Sequence, residues 1–331
     1  MVSDWISGGG FFSSHIISAV GNVLTKDVEK TSFWDTIMQD AMSENILREG
    51  LLDERIVIVD VTGIMIQVEQ NYFAPLSYNH QKILSDLDRI IEDTSIKAVV
   101  IRVDSPGGGV YESAQLRDKI KEMKEVRDIP IYVVMESMAT SGGYYISVDA
   151  DKIFASRETI TGSIGVIMSG LNLSGLMEKY GVKDTTVKSG DLKDVGSATR
   201  PTTEEDLSVL QNLVDSMYER FVDVVEEGRK MDRSHVYELA DGRIYDGTQA
   251  LDAGLIDAIG YYDQAIIDLE RTYELENAQI FSYSSSEFPF VNQFMSEITM
   301  LIRGKNMGSL GDINISGMNN KQGFMYIYGG Y

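Results

Sequence analysis

A serine followed by two glycines stands where a buried strand passes into a helix. The apolar run at residues 129–135 predicts the strand, and the residues after Ser141 return to a helical apolar pattern. Gly142 and Gly143 let the backbone turn sharply and let a substrate carbonyl come close. The free N–H groups at the helix start favour a developing oxyanion. The pattern therefore predicts serine-dependent acyl transfer, with Ser141 as nucleophile and the Gly142 N–H as an oxyanion donor.

A second glycine cluster, Asp-Ser-Pro-Gly-Gly-Gly at residues 104–109, directly follows a predicted strand at residues 98–103. Consecutive glycines after a strand present backbone N–H groups to an anion. In a serine hydrolase one such N–H completes an oxyanion hole, which is worth about 3 kcal/mol of barrier. The alternative is a tight turn into the next helix. The cluster lacks the terminal Lys-Ser/Thr of a phosphate-binding loop, which disfavours nucleotide binding.

The general base is harder to identify. The chain has three histidines, and of these we expect His80, at the start of an amphipathic helix, and His235, in a polar turn, at the surface. A Ser-His-Asp triad has little to support it, although triads assemble from distant positions. The alternative is a lysine kept neutral by burial in an apolar pocket. The sequence by itself does not select one lysine from the many present.

Composition excludes several classes of function. A formal net charge of −22 disfavours nucleic acid and anionic membrane surfaces as partners. The absence of cysteine excludes a thiol nucleophile, cysteine-ligated zinc and disulfides. No run of 18 or more apolar residues is present, so we predict no membrane-spanning helix. Apolar residues within 12–24 share one helical face, which suits either an interfacial helix or a helix packed on the body.

Strands that alternate with helices predict an α/β fold with a parallel sheet and flanking helices. A helix is predicted over residues 80–93, and a strand over residues 152–155. A capping box at residues 202–205 begins a long helix, for which we predict a buried stripe of Leu207, Leu210, Val214, Met217, Phe221 and Val225. We divide the chain into a helical lead-in (1–50), a catalytic α/β domain (51–275) and a C-terminal arm or tail (276–331).

The two glycine motifs together closely resemble the signal peptide peptidase A family of bacterial membrane serine peptidases, in its half-length Gram-positive form. Three further motifs match that family in order and spacing: Thr-Gly-Ser-Ile-Gly at 161–165, Lys-Ser-Gly at 188–190 and Asp-Gly-Arg-Ile-Tyr-Asp-Gly at 241–247. The resemblance covers roughly residues 55–270. It implies the Clp-protease/crotonase-like superfold.

The resemblance also implies roles for individual residues. Ser141 matches the nucleophile and Lys193 the general base. Gly108 matches an oxyanion-hole donor, and Ser163 matches a hydroxyl that hydrogen-bonds the lysine. No metal or cofactor is required by this mechanism.

By the same resemblance, the expected reaction is hydrolysis of apolar remnant signal peptides at the extracytoplasmic face of the cell membrane. The implied assembly is a ring-like or dome-like homo-oligomer, in which Lys193 of one subunit lies beside Ser141 of its neighbour. Family members usually carry a membrane anchor before this domain, so we expect the chain to begin just after such a segment. Two alternatives stay open: a crotonase-type acyl-CoA enzyme and a non-catalytic membrane scaffold.

The C-terminal residues 324–328 have strong strand character. They could lie in a peptide groove, on their own subunit or a neighbour, and inhibit the enzyme. The alternative is an ordinary edge strand or a loose end.

Overall fold

The computed structural model describes residues 44–67 and 78–283, and the backbone of residues 325–327. Within these residues nine strands form the central sheet: β1 (Glu44–Arg48), β2 (Leu51–Thr62), β3 (Ile96–Ser105), β5 (Ile131–Thr140), β6 (Lys152–Ala155), β7 (Ile160–Gly162), β8 (Ile244–Asp246), β9 (Ala258–Ile259) and β10 (Ala278–Tyr283). A separate pair joins β4 (Gly107–Gly109) to β11 (Met325–Ile327).

The helices of the described residues are α1 (His80–Glu92), α2 (Val110–Arg127), α3 (Gly142–Tyr145), α4 (Ser174–Lys179), α5 (Glu204–Arg229), α6 (Arg233–Leu239), α7 (Gly247–Asp252) and α8 (Tyr262–Tyr273). A 3-10 turn covers Asp191–Asp194. Along the sheet the strand order is β1-β10-β2-β3-β5-β6-β9. The pairs from β10 to β9 are parallel, and only the edge pair of β1 with β10 in this order is antiparallel. The predicted parallel α/β sheet is confirmed.

Both faces of the sheet are covered, which explains why its central strands are apolar at almost every position. On one face Val57, Ile101 and Val133 belong to a core that includes buried residues of α1, α2 and α5. On the other face Ile58 and Val100 belong to a second core with residues of α8. The predicted apolar stripe of α1 is confirmed, because Ile83, Leu87 and Ile90 are all buried.

The predicted stripe of α5 is buried over only half of its length. Phe221 and Val225 are fully buried, whereas Leu207 is 57% exposed. Leu210, Val214 and Met217 are half-buried, and Leu213 beside them is exposed. The prediction of a continuous buried stripe is therefore wrong for the first half of the helix, which extends past the part of the body that the structure describes. Periodicity shows that a face is apolar, but it does not show whether this chain covers that face.

The expectation that His80 lies at the surface is wrong. The side chain is buried, its Nδ1 hydrogen-bonds the hydroxyl of Tyr78, and its Nε2 lies 2.8 Å from Oε1 of Gln115. Because both ring nitrogens have polar partners, this first residue of α1 can be buried. His235 is exposed, as expected, but it lies on helix α6 and not in a turn.

The central sheet draws on both sides of the predicted domain boundaries. Strand β1 precedes residue 51 and β10 follows residue 275, yet the two strands pair with each other and β10 pairs with β2. The predicted helix within residues 12–24 lies outside the described residues. Across residues 44–67 and 78–283, none of the helices combines the length and the apolar character that crossing a bilayer requires.

Candidate active site

Ser141 occupies the junction between β5 and α3, as the sequence predicts. Its backbone has φ 53° and ψ −112°, a conformation that side-chain-bearing residues seldom adopt. Its N–H donates to the carbonyl of Gly162 at 2.7 Å. The residue is only 1% exposed, and among the described residues its Oγ has no hydrogen-bond partner. A strained backbone thus holds a buried hydroxyl that no described residue hydrogen-bonds.

Two buried tyrosines fix the short helix α3. The hydroxyl of Tyr144 donates to the carbonyl of Leu255 at 3.0 Å, and burial raises the pKa of Tyr144 well above its usual value. The ring of Tyr145 meets Phe221 edge-on, with centroids 5.0 Å apart. These contacts anchor the residues that follow Ser141 to the main core, so Ser141 precedes a rigid element.

The glycine loop after β3 lies against α3 at the same end of the sheet. Met65 N–H donates to the Gly107 carbonyl at 2.8 Å, and Gly109 N–H donates to the Met65 carbonyl at 2.9 Å. Along an extended strand, neighbouring residues direct their N–H groups to opposite edges. The N–H of Gly108 therefore points away from Met65. A Cβ on Gly108 would lie 2.3 Å from the Met65 oxygen, so only glycine fits there.

The outward edge of this loop is where the C-terminal strand lies. In the antiparallel pair of β4 and β11, Tyr326 stands opposite Gly108. The predicted strand within residues 324–328 is confirmed for residues 325–327. An extended peptide adding a strand to a free edge makes the same kind of backbone pairing. This edge is therefore suited to present the carbonyl of a bound peptide to the Gly108 N–H.

Ser163 is brought close to Ser141 through the backbone of Gly162. Gly162 accepts the hydrogen bond from Ser141 N–H, and Ser163 is the next residue. Ser163 also has a positive φ, 51°, and its N–H donates to the Arg243 carbonyl at 2.7 Å. No hydrogen bond joins its hydroxyl to any residue in the described part of the chain. The hydroxyls of Ser141 and Ser163 thus both lack a hydrogen-bond partner among the described residues, at the ends of β5 and β7.

Lys193 lies in the 3-10 turn Asp191–Asp194 and is exposed. Its ammonium has no hydrogen bond or ion pair with a described residue. The neighbouring Lys188 differs, because its Nζ lies 2.8 Å from Asp194 Oδ1 and 2.7 Å from the Asp191 carbonyl. Since Ser141 Oγ is unpartnered, one chain does not bring Lys193 into contact with the serine. Of the predicted site residues, Ser141, Gly142, Gly108 and Ser163 lie at one end of the sheet, and Lys193 does not join them.

We call residues 166–200, which carry Lys193, the arm. Its apolar side chains are unusually exposed: Ile167, Leu171, Leu173, Leu176, Tyr180, Val182, Val187 and Leu192. An open groove of about 580 Å³ separates the arm from the exposed first half of α5, with Leu171, Leu207 and Val214 in its lining. An apolar surface of this extent is typical of a protein–protein interface.

Comparison with known proteins shows the family to which the chain belongs. Residues 124–276 match peptidase family S49. A protein of Enterococcus faecium, named as a candidate signal peptide peptidase SppA, is 44% identical over 296 residues, which are 87% of this chain and 85% of that relative. The chain belongs to peptidase family S49. It is a serine peptidase with the Clp-protease/crotonase-like fold, as the sequence motifs predicted.

Other S49 relatives share a smaller part of their length with this chain. A candidate protease of Methanocaldococcus jannaschii is 38% identical over 201 residues, which are 61% of this chain and 64% of that protein. Protease 4 of Haemophilus influenzae is 33% identical over 217 residues, which are 66% of this chain but 34% of that protein. Membership of this family favours a peptidase over the crotonase-type enzyme and the non-catalytic scaffold. The roles of the individual site residues stay predictions.

Proposed function

We propose that this S49 peptidase cleaves peptides with a Ser141/Lys193 dyad whose two members come from neighbouring subunits. One observation carries the proposal: among the described residues the buried Ser141 hydroxyl has no hydrogen-bond partner, while Lys193 is exposed on an arm whose apolar side chains those residues leave exposed. Lysine in water is protonated at neutral pH and cannot act as a base. A second copy that covers the arm would remove Lys193 from water and insert it beside Ser141.

The reaction follows from these positions. Neutral Lys193 accepts the proton of Ser141 while Oγ attacks the peptide carbonyl, and the resulting ammonium returns a proton to the leaving amine. Lys193 then takes a proton from water as the water oxygen attacks the acyl-enzyme, and it gives that proton to Ser141 Oγ as the ester bond breaks and the carboxylic acid leaves. We propose that Ser163 hydrogen-bonds the incoming lysine, and its position one residue after the acceptor of the Ser141 N–H supports this role.

Two backbone donors would hold the oxyanion. Gly142 is the first residue of α3, so its N–H has no partner inside that helix. The Gly108 N–H points from β4 to the edge at which a peptide strand can pair. Preorganised donors of this kind act on charge that develops only in the transition state. The peptide would therefore bind extended, along Gly107–Gly109.

The substrates that we propose are apolar remnant signal peptides. The name of the Enterococcus faecium relative supports this class of substrate. An edge that binds peptide backbone by strand addition requires an extended, unfolded segment, which a released signal peptide can offer and a folded protein cannot. We place the reaction at the extracytoplasmic face of the cell membrane, where such remnants are left.

The test is hydrolysis of a fluorogenic apolar peptide by wild-type protein and by three variants. We expect Ser141→Ala and Lys193→Ala each to abolish turnover. Lys183→Ala, on another exposed lysine of the arm, should retain it. In an equal mixture of the two inactive variants, co-refolded, random assembly places an intact serine beside an intact lysine at about a quarter of the interfaces, and turnover should recover to about that fraction.

The outcomes separate the parts of the proposal. Turnover that survives Ser141→Ala would reject this serine as the nucleophile, and turnover that survives Lys193→Ala would reject this lysine as the base. No recovery in a mixed oligomer, confirmed by sedimentation and mass spectrometry, would reject the arrangement across subunits. Cleavage of folded proteins at the same rate as a synthetic signal peptide would reject the proposed substrate class.

A further inference from the structure

Polar contacts hold the arm in shape. Most of its apolar side chains are exposed, so no apolar core of its own fixes the turn that carries Lys193. Hydrogen bonds within the arm join its beginning to its end instead. Asn172 Nδ2 donates to the Arg200 carbonyl at 2.7 Å, and Leu173 N–H donates to the Ala198 carbonyl at 2.7 Å. The direction in which the turn points must therefore depend on such polar links.

Arg200 makes the link closest to Lys193. Its Nη2 lies 2.9 Å from Oδ1 of Asp194, the residue directly after Lys193, and 2.8 Å from Oδ1 of Asp206. Its Nη1 hydrogen-bonds the other oxygen of Asp206. One planar guanidinium therefore joins the 3-10 turn to the first turn of α5.

The far end of this link is rigid. Asp206 is 1% exposed and forms a reciprocal capping box with Thr203: its N–H lies 3.1 Å from Thr203 Oγ1, and its Oδ2 lies 2.9 Å from Thr203 N. Helix α5 continues from there to the buried Phe221 and Val225 in the main core. A displacement of Arg200 would thus have to move the start of a long helix.

At the other end of the link, Lys188 also donates a hydrogen bond to the carboxylate of Asp194. Hydrogen bonds from Arg200 and Lys188 lower the pKa of Asp194 to about 2. The carboxylate is therefore charged at any pH at which a peptidase would work, and the link persists. It also engages Lys188 and leaves Lys193, on the same turn, to project outward.

We infer that Arg200, through Asp194 on one side and Asp206 on the other, is a positioning residue that aims Lys193 at Ser141 of the adjacent subunit. This inference rests on the proposed function of Lys193. A base must reach its proton within hydrogen-bond distance, and a misplacement of about 1 Å costs on the order of 100-fold in rate. Arginine suits the role because its fork bridges two carboxylates at fixed angles, which the single ammonium of lysine does not.

The test compares Arg200→Gln with Arg233→Gln in peptide hydrolysis. Arg233 is the matched control, because it also bonds several carboxylates, Glu219, Asp223 and Glu226, but holds α6 to the second half of α5. We expect Arg200→Gln to lower kcat by about 10- to 100-fold while KM stays within about threefold. Arg233→Gln should keep the wild-type kcat, and Arg200→Lys should fall between wild type and Arg200→Gln.

Three results would overturn the inference. The first is a kcat for Arg200→Gln equal to that of Arg233→Gln. The second is a loss confined to KM, and the third is a loss of the oligomer in sedimentation, which would assign Arg200 to assembly. If Arg200→Gln does not fold, Asp194→Asn decides by the same criteria, because it weakens the link beside Lys193 and leaves the bond to Asp206 intact. Full turnover by Lys193→Ala would instead reject the proposed function, so the two failures are distinguishable.

Discussion

The strained backbone at Ser141 predicts that this residue, the proposed nucleophile, lowers the free energy of unfolding. Ser141 has φ 53° and ψ −112°, and its buried Oγ has no partner among the described residues. Backbone strain of this kind costs about 1–3 kcal/mol. In a subunit without the neighbour's lysine, an unsatisfied buried hydroxyl costs a further 1–3 kcal/mol or so. Glycine adopts such angles freely, and its greater chain entropy offsets only about 0.5–1 kcal/mol of the gain.

We therefore expect Ser141→Gly to be inactive yet more stable than wild type by at least about 1 kcal/mol. For a domain of this size that gain raises Tm by roughly 2–4 °C per kcal/mol, which scanning calorimetry resolves. Ser141→Ala should gain less, because it removes the hydroxyl and keeps a Cβ at the positive φ.

The matched control is Asp128→Gly. Asp128 ends α2 at φ 49° and ψ 44°, a left-handed conformation that aspartate tolerates, and it is exposed. Its replacement by glycine should gain no more than about 1 kcal/mol. If the gain from Ser141→Gly did not exceed that of Asp128→Gly, or if Ser141→Gly were less stable than wild type, the strain assigned to the nucleophile would be absent.

Three further predictions concern the oxyanion loop, the tail and the arm. Gly108→Ala places a Cβ 2.3 Å from the Met65 carbonyl oxygen and should displace the donor N–H. The kcat of this variant in peptide hydrolysis should fall by about 100-fold or more. If the variant kept the wild-type kcat, Gly108 would not be part of the oxyanion hole. Deleting residues 324–331 removes the strand Met325–Ile327 from Gly107–Gly109 and should raise turnover of short peptides; unchanged turnover would mean that the strand is an ordinary edge. Folding lowers the pKa of Asp194 from 3.8 to about 2, so its contribution to stability is present above pH 4 and is lost as the pH falls towards 2. The Tm difference between wild type and Asp194→Asn should therefore shrink over that interval. A constant difference would contradict this prediction.

Much of the fold was readable from the sequence because its signals are local. The strand–serine–glycine–helix order at Ser141 and the apolar periodicity of α1 depend on neighbouring residues, and the structure reproduces both. The glycine loop was predicted for the same reason. The sequence did not reveal that the backbone of Met65 pairs with this loop. Met65 follows β2, whereas the loop follows β3, so a helix and a strand separate them along the chain. Contacts between distant segments leave no periodic signal.

Burial was predicted least well wherever it depends on what covers a surface. His80 was expected in solvent, yet it is buried, and Tyr78 and Gln115 supply hydrogen-bond partners for both ring nitrogens. Leu207 and Phe221 have the same apolar character on one helix face, but only Phe221 is covered by the described body. The pattern of apolar residues shows which side chains prefer burial, but it does not show which segment or subunit covers them.

The sequence by itself determined the α/β alternation, the place of Ser141 between strand and helix, and, through its motifs, the family of peptidases to which the chain belongs. Only the tertiary structure decided that the Ser141 hydroxyl is buried with no partner in the described part of the chain, that Lys193 is exposed, and that Arg200 links the turn carrying Lys193 to α5. The physical reason is distance along the chain. Secondary structure follows from neighbouring residues, whereas the reach of a side chain follows from how remote elements pack.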